Sequence, residues 1–182
     1  MLMKRQNSLL MIIDVQERLA PAMDDPRQVI SNGTRLVGAA KDMGVPFIIT
    51  EQYPKGLGPT MVDVRQEAGE DAAFFSKLYF SCVREPEIMR AIEASGKKQI
   101  ILAGAETHIC LMQTAMDLKE QGYEVFVVSN ASSSRDAVQN TMALQRLAHN
   151  GIDIVTTEMV VFEWLEKAGT DEFKQIVGKY VL

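Results

Sequence analysis

The amino-acid sequence predicts an α/β fold in which helices pack on both faces of a parallel sheet. Short apolar runs alternate along the chain with stretches of helical periodicity, as in repeated βαβ units. Several runs lack the alternation of a half-exposed strand, as expected when both faces of the sheet are covered. Gly44, Gly96, Gly122 and Gly151 each stand between a helical pattern and the next strand, where a left-handed glycine ends a helix.

The individual elements follow from the apolar spacing. Six runs are strand candidates, of which the third has the weakest pattern: residues 8–13, 46–50, 72–75, 99–103, 124–128 and 152–155. Apolar residues at helical spacing mark three helices between them: Leu36, Val37, Ala40 and Met43; Ile88, Ala91 and Ile92; and Leu111, Ala115 and Leu118. The one long irregular stretch, residues 52–69, has the length of a binding loop or lid. With no repeat and no linker-like segment, we expect a single domain over residues 1–182.

Composition and charge limit the classes of partner. The chain has 182 residues, 47% of them hydrophobic, which is enough for one domain with a sizeable core. Its net charge of -5 and its lack of a Lys/Arg cluster argue against nucleic acid and predict a small-molecule partner. No apolar run approaches the roughly 20 residues that span a bilayer, and the first residues lead into a strand rather than a signal peptide. We therefore expect no membrane association, a cytoplasmic protein, and free thiols at Cys82 and Cys110.

Chemically useful side chains follow the predicted strands, at the edge of a parallel sheet where ligands bind. In chain order they are Asp14, Glu51, Gln52, Lys77, residues 106–110, residues 130–134 and residues 156–158. Cys110 follows a buried strand and opens a predicted helix over residues 111–121, where free N–H groups and the helix dipole stabilise a thiolate. Lys77 would lower the pKa of Cys110 further, and Asp14 would carry its proton. These three residues predict a cysteine hydrolase.

Each of these residues also has a purely structural interpretation. Asp14 can cap a turn, Lys77 can be a solvated surface lysine, and a cysteine in an apolar chain is more often inert, which is how we interpret Cys82. His108 and His149 are the only histidines, which leaves little material for a histidine triad or a two-histidine metal site. Residues 132–136 have the pattern of a helix N-terminus with Ser134 as the capping candidate.

Three segments taken together resemble the isochorismatase-like cysteine hydrolase superfamily. They are residues 9–16, which contain Asp14, residues 75–81, which contain Lys77, and residues 104–110, which end at Cys110. Their order and spacing match the Asp, Lys and Cys triad of that superfamily, and the resemblance runs from about residue 9 to about residue 176. Residues 50–60 and 132–135 are most similar to the isochorismatase domain-containing subgroup.

The resemblance implies a three-layer α/β/α fold with a six-stranded parallel sheet, and a thioester mechanism. In it, Cys110 attacks a carbonyl carbon after giving its proton to Asp14. Asp14 then protonates the leaving amine and later activates water, while Lys77 supports the charges. The backbone N–H groups of Glu106 and Cys110 would bind the oxyanion, with a cis peptide between Ala105 and Glu106.

Departures from family patterns narrow the expected chemistry. Nicotinamidases of this superfamily bind a metal through histidines, and residues 51–60 contain none, so we expect no metal and no cofactor. True isochorismatases cleave a vinyl ether without needing the cysteine, so Cys110 favours acyl transfer on a small amide, with vinyl ether hydrolysis as the alternative. Gln52 and Tyr53 are candidates for the substrate pocket; an ordered turn stabilised by Pro54 explains them equally well.

Two further classes stay open. A reactive Cys110 would also suit a redox sensor in which Cys82 is the resolving thiol. A binding protein that kept the fold without the chemistry is the third alternative, although it would not need all three residues. By resemblance we also expect a homo-oligomer, a dimer or a tetramer, with apolar surface contributed by residues 160–165 and 173–180. Trp164, within the first of these, is equally compatible with the core.

Overall fold

In a computed structural model, which describes residues 1–182, the chain forms one six-stranded sheet. The strands are β1 (Ser8–Ile13), β2 (Phe47–Gln52), β3 (Phe74–Lys77), β4 (Gln99–Ala105), β5 (Glu124–Ser133) and β6 (Asp153–Val155). Their order across the sheet is β3-β2-β1-β4-β5-β6, and every neighbouring pair is parallel. The predicted parallel α/β architecture is confirmed, and β1 and β4 lie side by side at its centre.

Helices cover both faces of this sheet. They are α1 (Pro26–Asp42), α2 (Pro54–Leu57), α3 (Val62–Ala68), α4 (Pro86–Ser95), α5 (Met112–Glu120), α6 (Ala137–His149), α7 (Thr157–Leu165) and α8 (Asp171–Tyr180), with a π-helical turn at Thr107–Leu111 and 3-10 turns at Arg5–Asn7, Ala20–Ala22 and Cys82–Arg84. Side chains from α1, α3, α7 and α8 form one apolar cluster against the sheet, and those from α4, α5 and α6 form the other. The six residues of β1 are buried, because its side chains alternate between these two clusters.

The strand ends differ from the sequence prediction in a way that matters for the site. β2 continues to Gln52, β3 is shifted to end at Lys77, and β5 continues to Ser133. Hydrogen bonding to a neighbouring strand extends each strand into polar residues that apolar periodicity does not mark. As a result, Gln52 and Lys77 are paired in register at the ends of adjacent strands.

The long stretch after β2 is not irregular. It contains α2 and α3, and its backbone is tied to the segment that follows β1. The amide of Glu17 donates to Pro59 O at 2.9 Å, that of Arg18 to Leu57 O at 3.0 Å, and that of Met61 to Val15 O at 2.8 Å. These bonds tie the stretch to the segment that follows β1.

Helix ends and termini follow the local signals in most cases. Gly44, Gly96, Gly122 and Gly151 all have positive φ, as predicted. The N-cap of α6 is Asp136, which accepts a hydrogen bond from the amide of Gln139, so the prediction of Ser134 as the cap is wrong. An aspartate two residues later caps equally well, and Ser134 is drawn into other contacts described below.

Trp164 belongs to the core. It is 1% exposed and its indole N–H donates to the buried hydroxyl of Ser8 at 3.0 Å. Phe162 and Met159 are the large apolar side chains of α7 that remain exposed.

None of the helices is both long enough and apolar enough to cross a bilayer.

Gly104 gives a first test of how closely β1 and β4 approach. It has φ +128°, and a Cβ atom there would lie 2.0 Å from the carbonyl oxygen of Ile13 on β1. We expect Gly104→Ala to lower the free energy of unfolding by about 3 kcal/mol or more, since a strained φ and a backbone clash add. Urea unfolding measures it.

The matched control is Gly33→Ala, in α1, where no atom lies within 4 Å of the added Cβ. Alanine should stabilise that helix by roughly 0.5–1 kcal/mol. Equal effects of the two substitutions would contradict the close approach of β1 and β4.

Candidate active site

Asp14 lies directly after β1 and is held from several sides. Its φ is +54° and its amide donates to Thr50 O at 3.1 Å, so the backbone turns sharply at the end of the strand. Its side chain is fully buried. One carboxylate oxygen, Oδ1, accepts a hydrogen bond from Thr50 Oγ1 at 2.8 Å, and Oδ2 lies 2.8 Å from the ammonium nitrogen of Lys77.

Lys77 is not a surface lysine. Its side chain is 0% exposed, and its Nζ also donates to Phe80 O at 2.9 Å, Tyr79 O at 3.3 Å and Gln52 Oε1 at 2.5 Å. Burial lowers the pKa of Lys77, but the charge of Asp14, with smaller contributions from the two cysteines, outweighs it and the net pKa is raised. Lys77 is therefore a buried cation at neutral pH.

Cys110 lies inside the π-helical turn between β4 and α5, with 5% of its surface exposed. Its Sγ is 3.9 Å from Gln52 Oε1, so the glutamine oxygen contacts both the thiol and the ammonium group of Lys77. Burial raises the pKa of the Cys110 thiol, the charge of Asp14 raises it further, and Lys77 lowers it only in part. The expectation of a pKa lowered by Lys77 and the helix dipole is thus wrong, because desolvation and Asp14 dominate.

Gln52 is held by a buried residue that the sequence reasoning missed. Gln16, which is 0% exposed, donates from Nε2 to the carbonyl oxygens of Gln52 and Gly58, at 2.9 and 2.8 Å, and accepts from the amide of Gln52 at 2.7 Å. The Gln52 side chain in turn donates to Leu78 O at 2.9 Å. Tyr53 has φ +37° and is 52% exposed, with its ring against Gly56.

The turn after β4 supplies a free backbone donor. The peptide bond between Ala105 and Glu106 is cis, and the N–H of Glu106 makes no hydrogen bond to another protein group. The Glu106 side chain is buried and accepts hydrogen bonds from Arg135, through the amide at 3.1 Å and through Nε at 3.0 and 3.1 Å. The Glu106 N–H is therefore an unpaired backbone donor at the start of the turn that carries Cys110.

The remaining polar residues serve the scaffold. His108 Nδ1 is 2.9 Å from Ser134 Oγ, which explains why Ser134 is not a helix cap. Glu51, at the end of β2, accepts from the amide and hydroxyl of Thr60 at 2.7 and 2.8 Å. No three His, Cys, Asp or Glu side chains are grouped so as to hold a metal ion.

Cys82 lies beneath the site in the same apolar cluster as Cys110, and both thiols are free. Its amide donates to Thr114 Oγ1 at 3.0 Å, and that hydroxyl donates to Cys110 O at 2.7 Å. Thr114 thus joins the segment after Lys77 to the turn that carries Cys110. Complete burial raises the pKa of Cys82 to about 11.

The structure brings the sequence-predicted residues to one edge of the sheet, and among them Tyr53, which follows β2, has a half-exposed side chain. Sequence reasoning missed Gln16, Thr50 and Thr114, whose hydrogen bonds orient the others. Gln16 carried no local signal, because the positive φ of Asp14 ends the alternation of β1 before Gln16 is reached.

A family comparison points to known proteins with this fold. The family model described as "Isochorismatase domain" matches residues 8–159. "Isochorismatase domain-containing protein 1" of Danio rerio is 39% identical over 170 residues, which cover 93% of this chain and 59% of the relative. "Isochorismatase domain-containing protein 2" of Xenopus laevis is 36% identical over 172 residues, covering 94% and 82%. The chain therefore spans little more than half the length of the Danio rerio relative.

Solved structures share the fold. MAR1 ribonuclease from Caenorhabditis elegans superposes with a TM-score of 0.93 at 30% identity, over 100% of this chain and 93% of that chain. The YcaC gene product of Escherichia coli, described as an octameric hydrolase of unknown specificity, has a TM-score of 0.91 at 23% identity over 99% and 91% of the two chains. The second likeness concerns the fold alone.

The buried ion pair gives a stability test. Lys77→Met leaves the Asp14 carboxylate buried without its cation, and we expect a loss of about 3–5 kcal/mol of unfolding free energy. Lys4→Met is the control, since Lys4 and Glu166 form an exposed pair at 3.4 Å, worth less than about 1 kcal/mol. Chemical denaturation at pH 7 measures both, and similar losses would contradict the burial of Lys77.

Cys82 gives a pH test. Its folded-state pKa of about 11 lies above the ordinary value of 9.0, so its contribution to stability is complete below pH 9 and is lost as the pH rises towards 11. That shift corresponds to up to about 3 kcal/mol. We expect unfolding free energies of Cys82→Ala to fall less steeply between about pH 8 and about pH 10.5 than those of the unsubstituted protein. Parallel pH profiles would show that the Cys82 thiol ionises in the fold as easily as in water.

Proposed function

We propose that this chain, which belongs to the isochorismatase family, cleaves the C–N bond of a small amide through a thioester at Cys110. Family membership supports a hydrolase. The observation that carries the finer proposal is the convergence of three buried groups, a carboxylate, an ammonium and a thiol, at the carboxyl edge of β1, β3 and β4. Convergence of these groups suits nucleophilic catalysis with a general base.

In the proposed first step, Sγ of Cys110 attacks the amide carbonyl carbon while its proton passes to the Asp14 carboxylate. The raised pKa of Cys110 supports this order, since the thiol is protonated at neutral pH and needs a base at the moment of attack. A C–S bond forms, the carbonyl oxygen becomes an oxyanion, and the N–H groups of Glu106 and Cys110 bind it. Loss of one such donor typically lowers the rate by ~10² to 10³.

In the second step the C–N bond breaks and Asp14 gives its proton to the leaving amine. Water then attacks the thioester, passes a proton to Asp14, and releases the acid, while the proton returns to Sγ. Lys77 keeps its charge throughout because its pKa is raised, and so it balances Asp14 whenever Asp14 is ionised. No metal or cofactor enters this scheme.

We assign Gln52 and Tyr53 to the substrate side of the same edge. Gln52 Oε1 already contacts Lys77 and lies near Cys110 Sγ, which supports a part in orienting both groups. Tyr53, the next residue along the chain, offers a half-exposed aromatic ring that packs on Gly56.

The alternatives separate on particular residues. Vinyl ether hydrolysis needs acid catalysis by Asp14 and not the cysteine, so it would survive Cys110→Ala. A redox role would oxidise Cys110 reversibly, with Cys82 as the candidate resolving thiol. Cys82 is 0% exposed with its pKa raised to about 11, which disfavours thiolate chemistry at that residue. A binding protein would not require the buried ion pair beside the thiol.

We further propose that the substrate is a small molecule and that nucleic acid is not a partner. We also propose that the protein is cytoplasmic and forms a homo-oligomer, either a dimer or a tetramer. The similar Caenorhabditis elegans protein is named a ribonuclease. The present chain carries a net charge of -5 without a Lys/Arg cluster, which does not provide the phosphate neutralisation that RNA binding rests on.

Three consecutive exposed apolar side chains, Leu78, Tyr79 and Phe80, support self-association, which light scattering measures.

The decisive experiment is trapping of the acyl-enzyme. A panel of small amides is incubated with the protein, and Cys110 is examined by mass spectrometry with and without hydroxylamine, which intercepts thioesters. We expect an acyl adduct at Cys110, none in Cys110→Ala, and acylation slowed by about 10² to 10⁴ in Asp14→Asn. Cys82→Ala is the matched thiol control and should retain the adduct.

Isochorismate and a single-stranded RNA serve as comparison substrates. Amide turnover that persists in Cys110→Ala would contradict the thioester. Isochorismate turnover that persists in the same variant, with no amide turned over, would support the vinyl ether alternative instead.

A further inference from the structure

Arg135 is a charged side chain at the site edge that the proposed mechanism does not use. In register, Gly104 pairs with Ser132 and Ala105 with Ser133, so Glu106 and Ser134 follow at equivalent positions on β4 and β5. Arg135 comes next, at the carboxyl edge, on the strand adjacent to the one that leads to Cys110. Neighbouring strands are about 4.8 Å apart, which is the length of a few covalent bonds in a small substrate.

The guanidinium group is fixed in orientation. Arg135 Nε donates to both carboxylate oxygens of Glu106, at 3.0 and 3.1 Å. The backbone amide of Arg135 donates to Glu106 Oε2 at 3.1 Å. Glu106 is 5% exposed, so the arginine is anchored on a buried group of the same turn that carries the free N–H and Cys110. An arginine anchored in this way loses little conformational freedom when a ligand arrives.

The anchoring uses only one of the three side-chain nitrogens. Neither Nη1 nor Nη2 of Arg135 contacts a protein acceptor, and 60% of the side chain is exposed. The carboxylates that end or follow β1, β2 and β4 are already occupied: Asp14 by Lys77 and Thr50, Glu51 by Thr60, and Glu106 by Arg135. What the edge still offers is a planar pair of N–H donors, which suits a carboxylate.

We propose that Arg135 binds a carboxylate group of the substrate through its two terminal nitrogens, so that the substrate is an amide bearing an acidic group a few bonds from the scissile C–N bond. This inference deepens the proposed function and rests on it. Arg135 acts as a specificity residue, and its guanidinium takes no part in the transfer of protons.

The test compares acidic amides with neutral amides of the same shape. Malonamate, succinamate and glutaramate are each titrated against the diamide of equal length by calorimetry on Cys110→Ala, in which no turnover occurs. We expect at least one of the acids to bind about tenfold or more tightly than its diamide, since hydrogen bonds to charged groups contribute at least that much. In Arg135→Gln on the same background, the ratio should fall towards one.

The control is Arg5→Gln, because Arg5 pairs with Glu172 at 2.9 Å before the start of β1, at the opposite edge of the sheet. It should leave the ratio unchanged. If Arg135→Gln does not fold, Arg135→Lys provides the comparison, since a lysine that stays on Glu106 has no planar donor pair left over. A preference that survives both substitutions, or no preference for any acid in the parent background, overturns the proposal.

Failure of this inference and failure of the proposed function are distinguishable. Acylation of Cys110 by neutral and acidic amides at equal rates would remove the carboxylate site and leave the hydrolase. A tenfold preference for acids that depends on Arg135, with no adduct ever formed at Cys110, would remove the thioester and leave the binding site.

Discussion

The arrangement of the site depends on one buried contact, the ion pair between Asp14 and Lys77. The two residues come from β1 and β3, which are separated by β2, so their contact closes over the end of the middle strand. Removing two charges from water costs several kcal/mol per ion before their attraction offsets it, and such pairs contribute little net stability. Gln52 on β2, the backbone carbonyls of residues 79 and 80, and Thr50 are arranged to satisfy the hydrogen bonds that the pair would otherwise lose.

That electrostatic setting determines the state of the thiol. Around Cys110, desolvation and the charge of Asp14 raise the pKa of the thiol, and the charge of Lys77 lowers it only in part, so the protonated form is favoured. A site of this kind differs from one in which a cysteine sits exposed at a helix N-terminus beside a histidine. The Cys110 thiol is protonated at neutral pH, and a protonated thiol is a weaker nucleophile than a thiolate.

Much of the fold and of the candidate site could be predicted from the sequence. The features that could not be predicted share a cause. Apolar runs and helix-ending glycines predicted the strands and the layering, because burial of these elements follows from residue type. Burial of Lys77 was not accessible, because its partners lie on β1 and β2, far along the chain, and an isolated lysine has no local signal. Strand ends at Gln52 and Ser133 were missed because pairing with a neighbour, not local preference, fixes them. The pKa of Cys110 depends on how completely the turn is covered, which spacing does not encode.

In the loop after β3, residues 78–80, the main-chain atoms and the side chains have different roles. Its residues 79 and 80 serve Lys77 through main-chain carbonyl oxygens, and the amides of Leu78 and Tyr79 are held by Glu85 Oε1 at 2.8 and 3.0 Å. The three side chains of this loop point away from that framework into solvent. Side-chain identity at these positions is therefore uncoupled from the main-chain contacts that hold Lys77. Libraries at residues 78–80 would change the surface beside the ion pair, and with it any self-association through these side chains, while the contacts of the pair stay in place.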